Sequence, residues 1–289
     1  MAFYTYKNAK ILIDGTGFFA NEAQINVDAS LDPAYLANNR HSFNYSASNG
    51  VAGNFAFSYY LTGLDPLKAY LNDETQAISG NFGGLYFNSG YLKSYNLSCN
   101  PNQSIIANAS ISFFDGLKGT FAPIYQQAPV AEVLNFSDAL LVDPTNGNIG
   151  NLSGLIGFDY NFDSDIKPLY YAGETTPNKI SFGLKQLSAN LLTDNLSGDL
   201  PFTGKVAGMR LNLTHPHIAG LTENFTVSGI LHQRNISTSV GNLVKSNLSI
   251  KQNYIDFPPV VSSITNINAT PGGFFLVNGL YLKTTKKIL

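Results

Sequence analysis

Apolar and polar residues alternate almost one for one along much of this chain, the mark of strands with one face covered and one wet. Ile25, Val27 and Ala29 alternate with Gln24, Asn26 and Asp28, and Phe55, Phe57 and Tyr59 form one face of residues 54–60. Tyr91, Tyr95, Leu97 and Cys99 share a face, as do Ala107, Ala109, Ile111 and Phe113. Farther on, Ile156, Phe158, Tyr160 and Phe162 alternate with Gly157, Asp159, Asn161 and Asp163; Met209, Leu211 and Leu213 follow, then Phe225 and Val227. Turn-forming residues separate the runs at Asp14-Gly15, Asn49-Gly50, Asn100-Pro101-Asn102 and Asn146-Gly147. Short strands with such punctuation read as a sandwich or barrel.

Two segments break the alternation and are expected to be short helices. Asp65-Pro66 supplies an N-cap and a first-turn proline before Leu67–Leu71. Lys185–Leu192 places Leu187, Leu191 and Leu192 on one helical face. Residues 122–129, with Pro123 and Pro129 flanking Tyr125-Gln-Gln127, read as a linker. After about Tyr254, Phe257-Pro258-Pro259 opens a C-terminal segment in which Val260–Ile264 and Gly273–Val277 are expected strands. That segment is short for an independent core.

The alternating blocks recur. Asn96-Leu-Ser98, Pro101 and Asn108-Ala-Ser110 match Asn212-Leu-Thr214, Pro216 and Asn224-Phe-Thr226, with both Asn pairs at a spacing of 116 residues. Upstream, Ile25–Asp28 matches Ile156–Asp159 at 131, and Phe55–Phe57 matches Ile180–Phe182 at 125. A period this long exceeds a solenoid unit and predicts two copies of one domain. The expected fold is therefore mainly β: two tandem β-barrel or β-sandwich domains, each with one short helix, plus a short β C-terminal extension. The boundaries fall at 1–121 for the first copy, 122–129 for the linker, 130–253 for the second copy and 254–289 for the extension.

Composition narrows the function. Of 289 residues, 44% are hydrophobic but only 12% are charged, and the net charge is −2. Asn, Ser, Thr and Gly supply the polarity, giving a wet, weakly charged surface that resists self-association little. No basic patch of the kind nucleic-acid binders carry is present, beyond Lys283, Lys286 and Lys287 at the tail. The one cysteine, Cys99, excludes an intrachain disulfide and a cysteine metal site. The opening Met-Ala-Phe-Tyr-Thr-Tyr lacks the pattern of a signal peptide, no run is long enough for a membrane helix, and synthesis in a cytosol is expected. The many Asn-x-Ser/Thr sequons then follow from composition rather than glycosylation.

Each candidate for catalysis or cofactor binding is outweighed by a structural reading. Gly15-Thr-Gly17-Phe-Phe-Ala20 has a dinucleotide-fingerprint form, but the following residues alternate like a strand where a helix is required. His215-Pro-His217 offers two imidazoles, fewer than a zinc site usually needs. Of the acidic pairs Asp163/Asp165 and Asp73/Glu74, the first reads as a strand end in a polar turn or a weak cation site, and no Trp exists to line a sugar site. The sequence contains no G-x-S-x-G nucleophile elbow. The expectation is a protein that is not an enzyme, with no catalytic, cofactor-binding or metal residues.

Gly90–Ser98, a short Pro/Asn turn and Ile106–Phe113 resemble the closing hairpin of tail-tube-type virion proteins of tailed bacteriophages, and Lys10–Ile13 followed by Ala23–Val27 resembles their opening strands. The resemblance covers residues 1 to about 120 and recurs over about 130–253. It implies small β domains that form six-membered rings, stacked around a lumen through which DNA passes without sequence-specific binding. A hexamer, or a trimer of two-domain chains with pseudo-sixfold symmetry, would supply the ring. Other tail or neck proteins would be its partners, with the virion tail as location and no membrane. The alternatives are another phage structural subunit, such as a neck, collar, baseplate-hub or decoration protein, and a carbohydrate-binding adhesive module using Tyr59-Tyr60 or Tyr170-Tyr171.

Overall fold

The structure, a computed structural model, describes residues 11–18, 20–35, 42–122, 133–142, 155–172, 174, 176–194, 206–218, 220–239, 244–252, 274–277 and 280–283. Residues 123–129 of the linker expected at 122–129, the turn at Asn146-Gly147 and the expected strand at Val260–Ile264 lie outside the described residues. Contacts divide the chain into Met1–Asn253 and Tyr254–Leu289.

The first unit is built on one antiparallel sheet of fourteen strands. Its strands are β1 Ile11–Ile13, β2 Thr16–Phe18, β3 Ala20–Tyr35, β4 Ser42–Tyr60, β5 Ile78–Phe82, β6 Leu85–Cys99 and β7 Ile106–Phe113. They continue as β8 Lys118–Gly119, β9 Ala139–Val142, β10 Leu155–Leu169, β11 Lys179–Thr193, β12 Val206–Thr214, β13 Thr222–Ser237 and β14 Lys245–Gln252. A helix α1 spans Lys68–Asn72, and a 3-10 turn spans Phe136–Asp138. In the second unit, β15 Phe274–Val277 and β16 Leu280–Lys283 form a hairpin, placing a strand within the expected Gly273–Val277 run.

The sheet is open rather than closed into barrels. Its pairing follows β1-β5-β6-β7-β4-β3 in the N-terminal half and β9-β12-β13-β14-β11-β10 in the C-terminal half, the same order of strands twice. The two halves meet where β6 pairs with β10, from Cys99 opposite Phe158 to Ser94 opposite Asp163. Irregularities repeat as well. In the β3–β4 ladder the register shifts between Ala20 and Glu22 and between Ala29 and Leu31; in the β10–β11 ladder it shifts between Leu155 and Gly157 and between Ser164 and Ile166. Each landmark on β10 lies 135 residues after its counterpart on β3. The β6–β7 ladder shifts between Leu92 and Ser94, and the β13–β14 ladder between Leu231 and Gln233, 139 residues later.

This sets the repeat in a different register from the sequence matches at 116, 125 and 131. Asn26-Val-Asp28 corresponds to Asn161-Phe-Asp163, Asn96-Leu-Ser98 to Asn235-Ile-Ser237, and Asn108-Ala-Ser110-Ile111 to Asn247-Leu-Ser249-Ile250. Three other expectations are corrected. Lys185–Leu192 is part of strand β11, with Leu187, Ala189 and Leu191 buried on one face and ladders to β10 and β14 on either side; those two ladders outweigh the leucines' helical spacing. Asn49-Gly50 lies inside β4, where the register shift opposite Ala29/Leu31 absorbs it without a turn. Tyr91 does not share the face of Tyr95, Leu97 and Cys99: the extra residue at the Leu92/Ser94 shift exchanges faces, so Leu92 is fully buried instead.

One face of the sheet carries the core, dominated by Phe55, Phe87, Tyr95, Phe113, Phe158, Phe162 and Phe225. The strand segments at the edge of each half fold across this face. Phe18 of β2 meets Phe57 and Tyr59 of β4 edge-on at 5.5 and 5.0 Å, and Phe225 of β13 meets Tyr160 of β10 at 5.3 Å. Gly90 and Gly229, again 139 residues apart, sit where β6 leaves β5 and β13 leaves β12. A Cβ on Gly229 would lie 1.8 Å from the Lys251 carbonyl oxygen, and one on Gly90 would lie 2.6 Å from the Phe87 ring. Gly229→Ala is therefore expected to destabilise the fold by about 1–3 kcal/mol through overpacking against backbone. Urea denaturation would measure this, and an unchanged midpoint would contradict the crossing geometry.

Candidate functional site

The opposite face of the sheet is lined by polar side chains. Its rows run without a break through the junction of the halves. One reads Glu22, Ser58, Asn108, Asn96, Asn161 and Ser188 across six strands. The next continues Ser98, Asp159, Asn190, Ser249 and Gln233 as far as β13. The alternation of the sequence produces this directly, because each strand sends its Asn, Ser and Gln residues to the side away from the core.

Amides and hydroxyls on this face bind each other across strands. Asn96 Nδ2 donates to Asn161 Oδ1 at 2.7 Å, and Asn108 Nδ2 donates to Asn96 Oδ1 at 3.2 Å. Ser98 Oγ donates to Asp159 Oδ1 at 2.8 Å, and Ser110 Oγ to Asn54 Oδ1 at 2.6 Å. The face is concave over β3, β4, β7, β6 and β10, forming a wide, shallow groove of about 670 Å³ over Glu22, Ser58, Asn96, Asn108 and Asn161. Charge on this face includes Glu22, Asp28, Asp159 and Asp163, together with the exposed Lys93 on β6 and Lys245 and Lys251 on β14. The middle of the face thus carries charges of both signs and little net charge.

On the core side, α1 pins the two halves together. Asp65, 5% exposed, accepts hydrogen bonds from Tyr59 Oη at 2.8 Å and from Tyr95 Oη, and its Oδ1 accepts the Leu67 N–H at 2.9 Å. Asp65 thus holds the start of the helix although Leu67 is the N-cap residue, two positions later than the sequence suggested. The Asp65 N–H donates to Glu223 Oε2 of β13 at 2.9 Å, and Glu223 also pairs with the Lys68 ammonium. At the far end of α1, Lys185 Nζ of β11 donates to the Leu71 carbonyl at 2.8 Å and pairs with Glu74 at 2.7 Å, a cation at a helix C-terminus.

Burial raises the pKa of Asp65 despite the hydrogen bonds it accepts, and holds the Tyr59 and Tyr95 hydroxyls well above the ordinary tyrosine range, with the Asp65 charge adding to the shift. Asp65, Glu223, Tyr59 and Tyr95 are all at most 5% exposed, so this carboxylate pair has no opening to a substrate. Its role is to fasten a loop of one half to a strand of the other. Nothing local in the sequence links Asp65 to Glu223, 158 residues away.

The motifs weighed for chemistry sit in turns and ladders. Asp14 and Gly15 have positive φ of 46° and 80° and close the β1–β2 hairpin, so no helix follows Gly15-Thr-Gly17 to receive a pyrophosphate. His215 Nδ1 accepts the N–H groups of His217 and Ile218 at 3.2 and 3.1 Å, tying off the β12–β13 turn. Asp165 pairs with Lys167 at 2.7 Å, while Asp163 lies on the polar face opposite Ser94. Asp73 accepts the N–H and hydroxyl of Thr75, and Glu74 is taken by Lys185. Cys99 is fully buried, and burial pushes its thiol up to about 12. Among the described residues no three His, Cys, Asp or Glu side chains converge as a metal site, and no helix is long and apolar enough to cross a membrane. No protein-family model matches the chain, and a search of curated proteins finds no match.

Proposed function

We propose that this chain is a structural virion protein of a tailed bacteriophage, a tail-tube or tube-end subunit that assembles into rings around a DNA-conducting lumen. The observation that carries this reading is the polar sheet face: concave, continuous through both halves, rich in Asn and Ser, and of low net charge at its centre. A conduit for DNA needs a wettable wall that does not hold phosphates. Arginines and lysines would bind the backbone by releasing counterions and so impede sliding. Here the amides and hydroxyls are already bonded to each other across strands, which leaves a smooth wall.

The repeated strand order supports the same reading. Each half is a tube-like β domain, and the β6–β10 ladder joins two such domains side by side within one chain. A trimer would then present six domains around the lumen. Among the described residues the halves differ: α1 and β8 belong to the N-terminal half, which suits a subunit at the end of a tube, where the two domains meet different neighbours. The role is mechanical rather than catalytic, in keeping with the sealed Asp65–Glu223 pair.

Negative-stain electron microscopy and light scattering of the purified chain test this. Rings or short tubes with an open centre, and no DNA retained at physiological salt, are the expected result. A chain that stays monomeric at high concentration, or that binds DNA tightly, would sink the proposal.

A further inference from the structure

We infer that a second copy of this chain docks the outer edge of its β3 against Gln233–Ser237 of β13, repeating between chains the β6–β10 ladder that joins the halves within one. The inference deepens the ring reading by naming the edges that meet, and its evidence is the register of the strand repeat.

In the N-terminal half, β6 pairs with β5 as far as Gly90, then passes the irregularity at Leu92/Ser94, and from Ser94 to Cys99 offers the same side to β10. In the C-terminal half, β13 pairs with β12 as far as Ile230 and passes its irregularity at Leu231/Gln233. Beyond that point β14 occupies one side of β13, up to Ser237, and among the described residues no strand occupies the other. This is the slot that β10 fills on β6. The counterpart of β10 is β3, which pairs with β4 on one side and with no described strand on the other. A chain therefore ends in a donor edge and an acceptor edge that are copies of an interface it already contains.

The repeat fixes the register. Within the chain, Asn161 lies opposite Asn96, Tyr160 opposite Leu97 and Phe162 opposite Tyr95. The equivalent positions place Asn26 of one copy opposite Asn235 of another, with Ile25 opposite Ile236 and Val27 opposite Arg234. Exposure follows this pairing. Leu97, Tyr95, Tyr160 and Phe162 are at most 5% exposed, whereas Ile236 is 51% and Val27 39% exposed. These are the apolar positions that a copied ladder would cover. Asn26 and Asn235 are exposed on the polar face, where Asn161 and Asn96 share a 2.7 Å hydrogen bond. An open strand edge is a template for another strand. Because the two edges are different surfaces, the contact is head-to-tail and closes into a ring when the rotation permits. The polar face then passes from chain to chain as it passes from half to half.

Cysteine pairing tests the register. Residues directly opposite in an antiparallel ladder have Cα atoms about 4.5–5.5 Å apart, within reach of a disulfide. On mild oxidation, Asn26→Cys mixed with Asn235→Cys is expected to give cross-linked dimers, and the double variant a ladder of covalent oligomers, while the displaced pair Asp28→Cys with Asn235→Cys links far less. Ile236→Lys, at an exposed position, is expected to keep the thermal unfolding midpoint while weakening self-association at least tenfold by light scattering. If rings form in micrographs but Asn26→Cys and Asn235→Cys do not link and Ile236→Lys still assembles, the edge assignment is wrong and the ring reading stands. If the parent chain stays monomeric and no pair links, both fall.

Discussion

Tyr95→Ala is expected to lower the unfolding free energy by about 3–5 kcal/mol, the range for deleting a buried aromatic ring. Tyr95 is 1% exposed and stands on β6 at the seam between the halves. Its ring stacks on Phe225 with centroids 6.2 Å apart and meets Tyr160 edge-on at 6.2 Å, so one side chain of the N-terminal half touches two strands of the C-terminal half. Its hydroxyl donates to Asp65, which holds α1. Tyr95→Phe keeps the ring and removes only that donor, and is expected to cost about 1–3 kcal/mol for the buried carboxylate oxygen left without it. Urea denaturation of the two variants separates packing from hydrogen bonding. Equal losses would mean that the ring contributes nothing across the seam, and a Tyr95→Ala loss below that of Tyr95→Phe would overturn the packing account.

The strands were legible because a half-covered sheet writes its pleat into the sequence: the apolar members of Phe55–Tyr59, Ala107–Phe113 and Phe158–Phe162 are the buried ones. That a repeat exists was legible too, but its register was not, and the reason is physical. Asn residues twelve positions apart occur at 96 and 108, at 212 and 224, and at 235 and 247. Each pair lies directly opposite in its own hairpin, β6–β7, β12–β13 and β13–β14. The motif therefore marks a hairpin of a certain length, and the matching picked the hairpin one strand too early. The spacing of Leu187 and Leu191 serves a helix and a strand equally, and only the neighbours on both sides of β11 decide between them. Of the candidate surface, the polar rows could be read from the alternation. The Asp65–Glu223 lock and the side of β13 that no described strand pairs with depend on which strands meet, which no local pattern records.

Stability is expected to fall as pH rises above about 10, and two tyrosines at the seam are the main cause. Tyr59 and Tyr95 are buried against Asp65, and burial together with that carboxylate holds both hydroxyls protonated well beyond the ordinary tyrosine value of 10.0. In the unfolded chain they ionise near that value. Above it the folded state binds more protons than the unfolded state, so unfolding releases protons and becomes easier with each step in pH. The stability these groups contribute is complete below about pH 10 and is lost as pH climbs toward their folded values. Cys99 acts in the same direction between its ordinary 9.0 and about 12. Asp65, raised from 3.8 by burial, likewise favours folding most at low pH and loses that contribution as pH rises through its folded value, the reverse of an ordinary surface carboxylate. The measurement is the urea midpoint from neutral to alkaline pH for the parent chain and for the Tyr59→Phe/Tyr95→Phe double variant. The double variant should begin lower at neutral pH, having lost two donors to Asp65, yet decline less steeply above pH 10 because those two phenols no longer titrate. An alkaline decline as steep as the parent's would show that the phenols are not what destabilises the seam.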